Sequence, residues 1–180
     1  MPGDVSAHFQ VAFDFTVGQE GGYTDNAADS GNWTGGACGI GQCNGTKFGI
    51  SAAAYPALDI ANLTIGQAQS LYSRDYWTPI QGDELSLPLA MVGFDGAVNS
   101  GVGQSVQWLQ TACNIVTGSM LIVDGDLGPI TLAALLAGGA QAIAREALVQ
   151  RLMFLTGLQS WPNFGLGWAR RVLALLAAVA

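Results

Sequence analysis

Glu20, Asp29 and Thr46 are the residues of this chain whose types and order could do chemistry. Glu20 opens the run Glu20-Gly21-Gly22-Tyr23, Asp29 precedes Ser30-Gly31, and Thr46 opens Thr46-Lys47-Phe48-Gly49-Ile50. Cleavage of a glycosidic bond needs an acid to protonate the leaving oxygen and, in most cases, a carboxylate that activates water or attacks the sugar. The acid must stay protonated near neutral pH, which desolvation favours. Glu20 fits this at the end of a predicted helix, where negative charge is disfavoured and Phe13, Val17 and Tyr23 could form an apolar wall. Asp29, in a polar loop, would supply the carboxylate, and Thr46 could hold a water or a sugar hydroxyl. On spacing alone, Glu20 is equally an exposed acid at a helix end and Asp29 a turn residue.

The elements that must position these groups are mostly helical. Phe9, Ala12, Phe13 and Val17 recur at helical spacing and predict a helix over 8–19, ended by Gly21-Gly22. Residues 23–51 are rich in Gly, Asn, Asp, Ser and Thr and read as loop and short hairpin. A short helix is predicted to begin in 51–55 and stop near Pro56. Thr64 to Gln67 caps another that runs to about Trp77. Further helices are predicted over 89–99, from Val102 or Gly103 to Ala112 or Cys113, from Pro129 to Leu136, over 140–157 and over 167–178. The expectation is a mainly α (α+β) chain with one small β-hairpin or loop region carrying part of the site.

Composition narrows the function. The chain has 180 residues, half of them hydrophobic, only 11% charged, and a formal net charge of −7. The single lysine is Lys47. This argues against nucleic acid, whose binding rests on phosphate neutralisation. No basic and apolar leader is visible in residues 1–10, and no window reaches the roughly 18 apolar residues of a membrane span. The expectation is a protein made in the cytoplasm without a signal peptide, not inserted in a membrane. Cys38 and Cys43 share a glycine-rich loop and could form a disulfide, or could remain free thiols; Cys113 falls in an apolar helix pattern. A single histidine, His8, disfavours a zinc amidase and a Cys-His peptidase. Asp124-x-Asp126-x-Gly128 has Leu135 where a calcium loop needs Glu. No metal and no cofactor are expected.

Several separate motifs, in order, resemble glycoside hydrolase family 108, the phage and bacterial N-acetylmuramidases. They are Glu20-Gly21-Gly22-Tyr23, Asp29-Ser30-Gly31 and Thr46 to Ser51; then Phe94-Asp95-Gly96-Ala97-Val98-Asn99-Ser100-Gly101; then Leu109-Gln110, Asp124 to Thr131 and Gly167 to Val172. The later ones are similar to the peptidoglycan-binding region that follows in that family. The resemblance implies a lysozyme-like fold, with a catalytic region over 1–86 and a helical, peptidoglycan-binding-like region over 87–180 packed on it as one compact unit. It implies hydrolysis of the β-1,4 bond between N-acetylmuramic acid and N-acetylglucosamine, for bacterial cell lysis, with Glu20 as acid, Asp29 positioning water and Thr46 assisting. Gly22, Tyr23 and Asn99 would meet the sugar. The spacing of Glu20, Asp29 and Thr46 is also similar to the Glu-Asp-Thr set of T4-type lysozymes, which by analogy implies inversion.

The main departure is the insertion 32–45, which carries Cys38 and Cys43. It makes Thr34 a competitor of Thr46, as Asp25 is of Asp29; the neighbouring Phe48-Gly49-Ile50 and Ser30-Gly31 favour Thr46 and Asp29. Tyr23, Tyr76 and Trp77 could stack on sugar but fit a core better. Trp168 is expected to anchor the last helix, and Asp95 to cap or to pair with Arg74. The Asp124 to Thr131 run could recognise peptidoglycan or be a tight turn feeding a helix. A lytic transglycosylase and a non-catalytic wall-binding protein are the alternative functions. Expected partners are peptidoglycan strands and an immunity or inhibitor protein, the chain acting as a monomer on the wall or in the periplasm after release through a holin or a secretion apparatus.

Overall fold

The computed structural model describes residues 6–18 and 22–180. Its elements are α1 (Ala7–Thr16), the strands β1 (Thr46–Lys47) and β2 (Ile50–Ser51), α2 (Ile65–Tyr72), α3 (Leu87–Ser100), α4 (Val102–Thr117), α5 (Pro129–Ala137), α6 (Ala140–Thr156) and α7 (Trp161–Ala178). The expected mainly helical, lysozyme-like α+β fold is what forms. Contacts divide the chain into two units. One contains Phe13–Ser73; the other contains Arg74–Ala180 and the first part of α1, up to Ala12. The chain passes from one to the other at Ser73/Arg74, inside a π-helical turn over Ser73–Trp77.

The first unit is a polar loop region seated on a small core of Phe13, Ile50, Ala52, Ile60, Leu63, Ala68 and Tyr72. Phe13 meets the Tyr72 ring edge-on at 5.5 Å. β1 and β2 pair antiparallel, Thr46 opposite Ser51 and Lys47 opposite Ile50, which leaves Phe48-Gly49 as a two-residue turn. Both turn residues have positive φ, 52° and 73°, as the tightest hairpin turn requires. Such a φ is unusual for Phe. The Tyr72 hydroxyl holds it there by donating to the Phe48 carbonyl at 3.0 Å, close over Gly49, where a Cβ would lie 2.5 Å from that hydroxyl. Thr64 caps α2 in a reciprocal box with Gln67.

The insertion is a second, irregular hairpin. Trp33 bridges Cys43, the Thr34 N–H donates to the Gln42 carbonyl at 2.9 Å, and Gly35 N–H to the Ile40 carbonyl at 3.1 Å. Its base is held by Asn32, which is fully buried. The Asn32 amide donates to the Asn26 carbonyl at 3.0 Å, and its side-chain oxygen accepts from the Thr46 hydroxyl at 2.7 Å. Its backbone N–H donates to the Asp29 carbonyl at 3.2 Å and its carbonyl accepts from Gly45 at 3.1 Å.

The second unit is built on α3, buried continuously from Leu89 to Ala97 and packed against α4 and α6. Gly96 allows α4 to approach: a Cβ there would sit 2.5 Å from the Ser105 hydroxyl, which donates to the Gly93 carbonyl at 2.7 Å. Phe94 packs edge-on against Phe9 and Trp77 at 5.7 and 5.6 Å. Asp95, fully buried, receives Arg151 of α6 at 2.6 Å and Arg171 of α7 at 2.5 Å. Arg151 also lies over the Trp108 ring of α4 at 5.8 Å. Among the described residues no single helix is long and apolar enough to cross a membrane; α5 and α6 together meet that test only across a bend of 116°.

Several boundaries differ from the sequence expectations. α1 ends at Thr16, with Gly18 at φ 71° as its terminator, so the helix stops before Gly21-Gly22. Residues 52–54 turn without becoming helical. α4 runs a further turn, to Thr117, where Gly118 at φ 73° ends it; its exposed Ile115 and Val116 fall off the apolar stripe that marks the rest of the helix. α7 starts at Trp161, not Gly167: Pro162 is in the first turn, where proline is tolerated, and the Trp161 ring covers Gly165. Arg74 pairs with its neighbour Asp75, not with Asp95. Trp168 does not reach the core; it packs against Phe164 and Trp161 of its own helix at 5.8 and 6.2 Å.

Two substitutions test this reading. Asn32→Ala strips partners from the Asn26 carbonyl and the Thr46 hydroxyl and should cost about 2–3 kcal/mol in urea unfolding; a change within 0.5 kcal/mol is not compatible with Asn32 as the anchor of the hairpin. Asp95→Ala leaves Arg151 charged and buried, and should cost about 3–5 kcal/mol. The paired replacement Asp95→Leu with Arg151→Met should recover most of that loss, since apolar substitutes for a buried ion pair are often neutral.

Candidate active site

Glu20, with Gln19 and Gly21, lies outside the described residues. α1 ends at Thr16, ahead of that segment. Of the expected apolar neighbours of Glu20, Phe13 is committed to the core against Tyr72.

Asp29 and Thr46 are brought to the two sides of Asn32. Asp29 caps a short 3-10 turn, Ser30–Asn32, its Oδ1 accepting from the Gly31 N–H at 2.9 Å, and its side chain is exposed. Thr46 lies on β1 and pairs through its backbone with Thr24, Thr46 N–H donating at 2.8 Å and Thr24 N–H at 3.0 Å. Its hydroxyl hydrogen is spent on Asn32, so toward any other group that hydroxyl can act only as an acceptor. The competitors are differently employed. Thr34 Oγ1 accepts from Gln42 N–H at 2.9 Å and closes the insertion hairpin. The Asp25 carbonyl receives the Cys43 thiol at 3.4 Å.

Tyr23 and Gly22 follow the acid in sequence and are exposed. The Tyr23 ring lies over Gly45, whose φ is 81° and where a Cβ would fall 2.5 Å from the ring. Partial burial, and then the neighbouring acidic groups of Asp25, Cys43 and Asp59, raise the Tyr23 phenol above its ordinary pKa, which keeps it a neutral donor. A groove of about 410 Å³ opens beside it, walled by Gln42, Cys43, Asn44 and residues 56–61.

Asn99 is in the helical unit, where its amide donates to the Asp95 carbonyl at 2.8 Å. Trp77 is core, its indole N–H donating to Asp83 at 2.9 Å. Cys38 and Cys43 are free thiols rather than a bridge: Cys38 is at the exposed hairpin tip, while Cys43 is fixed at the base opposite Trp33. The run Asp124 to Thr131 is a turn locked from below by buried Gln110. The Gln110 amide donates to Asp124 at 2.8 Å and to the Asp126 carbonyl at 3.0 Å, and its oxygen accepts from Gly125 N–H at 3.0 Å. These bonds, the Gln110 one foremost, hold the Asp124 carboxyl below the usual range. Among the described residues no group of three or more His, Cys, Asp or Glu side chains is placed to hold a metal.

Asn32 is the residue that sequence reasoning missed. It opens the insertion, where it reads as one more loop Asn, and its partner Thr46 lies on the far side of a hairpin that spacing does not reveal.

No significantly similar protein was found among curated sequences. Among solved structures, the chain is similar to Brucella abortus SagA, with 28% identity and a TM-score of 0.75 over 95% of this chain and 92% of that one. The glycosyl hydrolase 108 family model matches residues 13–101, a span that holds Glu20, Asp29, Asn32 and Thr46 together with the Phe94 to Gly101 element. Through those residues the chain belongs to the glycosyl hydrolase 108 family.

Proposed function

We propose that the chain is an N-acetylmuramidase that hydrolyses the β-1,4 bond between N-acetylmuramic acid and N-acetylglucosamine in peptidoglycan. The observation that carries this is the Asn32 link, which ties the Asp29 turn to the Thr46 hydroxyl on the segment that follows Glu20. A carboxylate accepts hydrogen bonds, and Thr46, its own hydrogen engaged, also accepts. A water held between two acceptors donates both of its hydrogens and keeps a lone pair for the sugar carbon. Asp29 then takes the proton released on attack, while Glu20 protonates the leaving oxygen. A water between carboxylate and sugar is the arrangement of an inverting enzyme, whose carboxyl groups stand about 6.5–9.5 Å apart.

The helical unit would serve as the wall-binding region. That role, and Asn99 as a sugar ligand, rest on the family resemblance; the Asp124 to Thr131 turn offers an apolar hollow of about 300 Å³ beside Met120, Ile122 and Ile130. Action on the wall after release through a holin or a secretion apparatus completes the proposal.

Digestion of purified peptidoglycan tests the chemistry. Glu20→Gln should lower the rate at least about 10²-fold, the low end for a general acid. Asp29→Asn and Thr46→Val should lower kcat more than they raise KM, because both act on the attacking water. New reducing ends are expected. Products with 1,6-anhydro ends would make the enzyme a transglycosylase, and full activity in Glu20→Gln would remove Glu20 from the mechanism.

A further inference from the structure

The groove beside Tyr23 lies on the first unit and is walled in part by the insertion. Its volume of about 410 Å³ falls in the roughly 300–1,000 Å³ range of small-molecule sites. Three features make it a built surface. The Tyr23 ring is 41% exposed, yet its position is set by the close packing on Gly45 and by the Thr24–Thr46 bridge next to it. The wall carrying Gln42 and Asn44 is pinned at Cys43, by the Trp33 bridge and by the thiol donating to the Asp25 carbonyl. Opposite, Asp59 is held by Asn62, whose amide donates to Oδ2 at 2.9 Å and whose backbone N–H donates to Oδ1 at 3.3 Å.

We propose that this groove is an additional saccharide subsite, created by the insertion, that takes a neutral N-acetylated hexosamine of the glycan strand. An aromatic face packs against the C–H face of a pyranose, and the paired donor and acceptor of each side-chain amide match hydroxyl and acetamido groups. Charge sets the preference between the two wall sugars. Asp59 is the acidic side chain of the groove lining, and the ammonium of Lys47 is spent on the Ala61 carbonyl at 2.9 Å. A sugar carrying a lactyl carboxylate meets like charge here, whereas N-acetylglucosamine does not. This inference rests on the glycan-hydrolase reading for its ligand class, but it concerns binding and not cleavage.

The test uses the full chain carrying Glu20→Gln, titrated with the N-acetylglucosamine hexamer and, separately, with a peptidoglycan tetrasaccharide that contains N-acetylmuramic acid. The side-chain amide resonances of Gln42 and Asn44 should shift with the hexamer. Adding Gln42→Ala and Asn44→Ala should weaken hexamer binding about tenfold, the scale of two net hydrogen bonds. Asp59→Asn, close to isosteric, should improve binding of the tetrasaccharide relative to the hexamer. Unmoved amide resonances, or an unchanged Kd in the amide variants together with unchanged discrimination in Asp59→Asn, would overturn the subsite. If those amides respond while the wild type cuts no glycan, the subsite stands and the muramidase reading fails; cleavage by the wild type with silent amides means the reverse.

Discussion

A polar, glycine-rich segment can hold a site only if the polar groups it buries are paired, and the buried side chain of Asn32 does that pairing here. An unpaired buried amide is costly, whereas one that satisfies several loops at once fixes them together. Asn32 bonds the turn at Asn26, the cap at Asp29, the strand start at Gly45 and the hydroxyl of Thr46. Both walls of the candidate site are thus referred to one residue. Gly45 completes the arrangement, because the Tyr23 ring occupies the space that any side chain there would need.

The helical unit uses the same logic with charge. Asp95 sits on the most buried helix and is paired to α6 and α7. An ion pair of this kind adds little net stability over an apolar core, but it penalises any arrangement in which one partner is left alone. The element Phe94 to Gly101 is accounted for by these structural duties. Phe94 fills the aromatic core, Asp95 gathers the arginines, Gly96 admits Ser105, Asn99 bonds back to the Asp95 carbonyl, and Gly101 takes a φ of 87° that ends α3.

What was legible in the sequence follows from how local each signal is. The Thr64 capping box and the proline start of α5 are set by neighbours within a few residues and formed where expected, while α3 begins at Leu87, two residues ahead of the expected 89. The end of α1 was misplaced because Gly18 competes with Gly21 as terminator, and the start of α7 because Pro162 and two glycines look like breakers when they occupy tolerated positions. Long-range partners were not legible at all. Nothing local tells Asp95 to choose Arg151 and Arg171 over the nearer Arg74, or Asn32 to choose Thr46.

The net charge of −7 bears on how this glycoside hydrolase would meet its substrate. Peptidoglycan carries carboxylates, so for the proposed wall substrate the long-range term is repulsive, though screened beyond about 8 Å at physiological salt. Attraction must then come at contact, from hydrogen bonds and ring stacking. The sequence is suited to this, since its charged residues are few and its site loops are rich in amides and hydroxyls. The same constraint favours a neutral sugar wherever acidic side chains flank a groove, and it leaves carboxylate-bearing parts of the strand to surfaces that lack Asp and Glu. An acidic enzyme on an acidic polymer therefore reads its substrate by where it avoids charge as much as by where it binds.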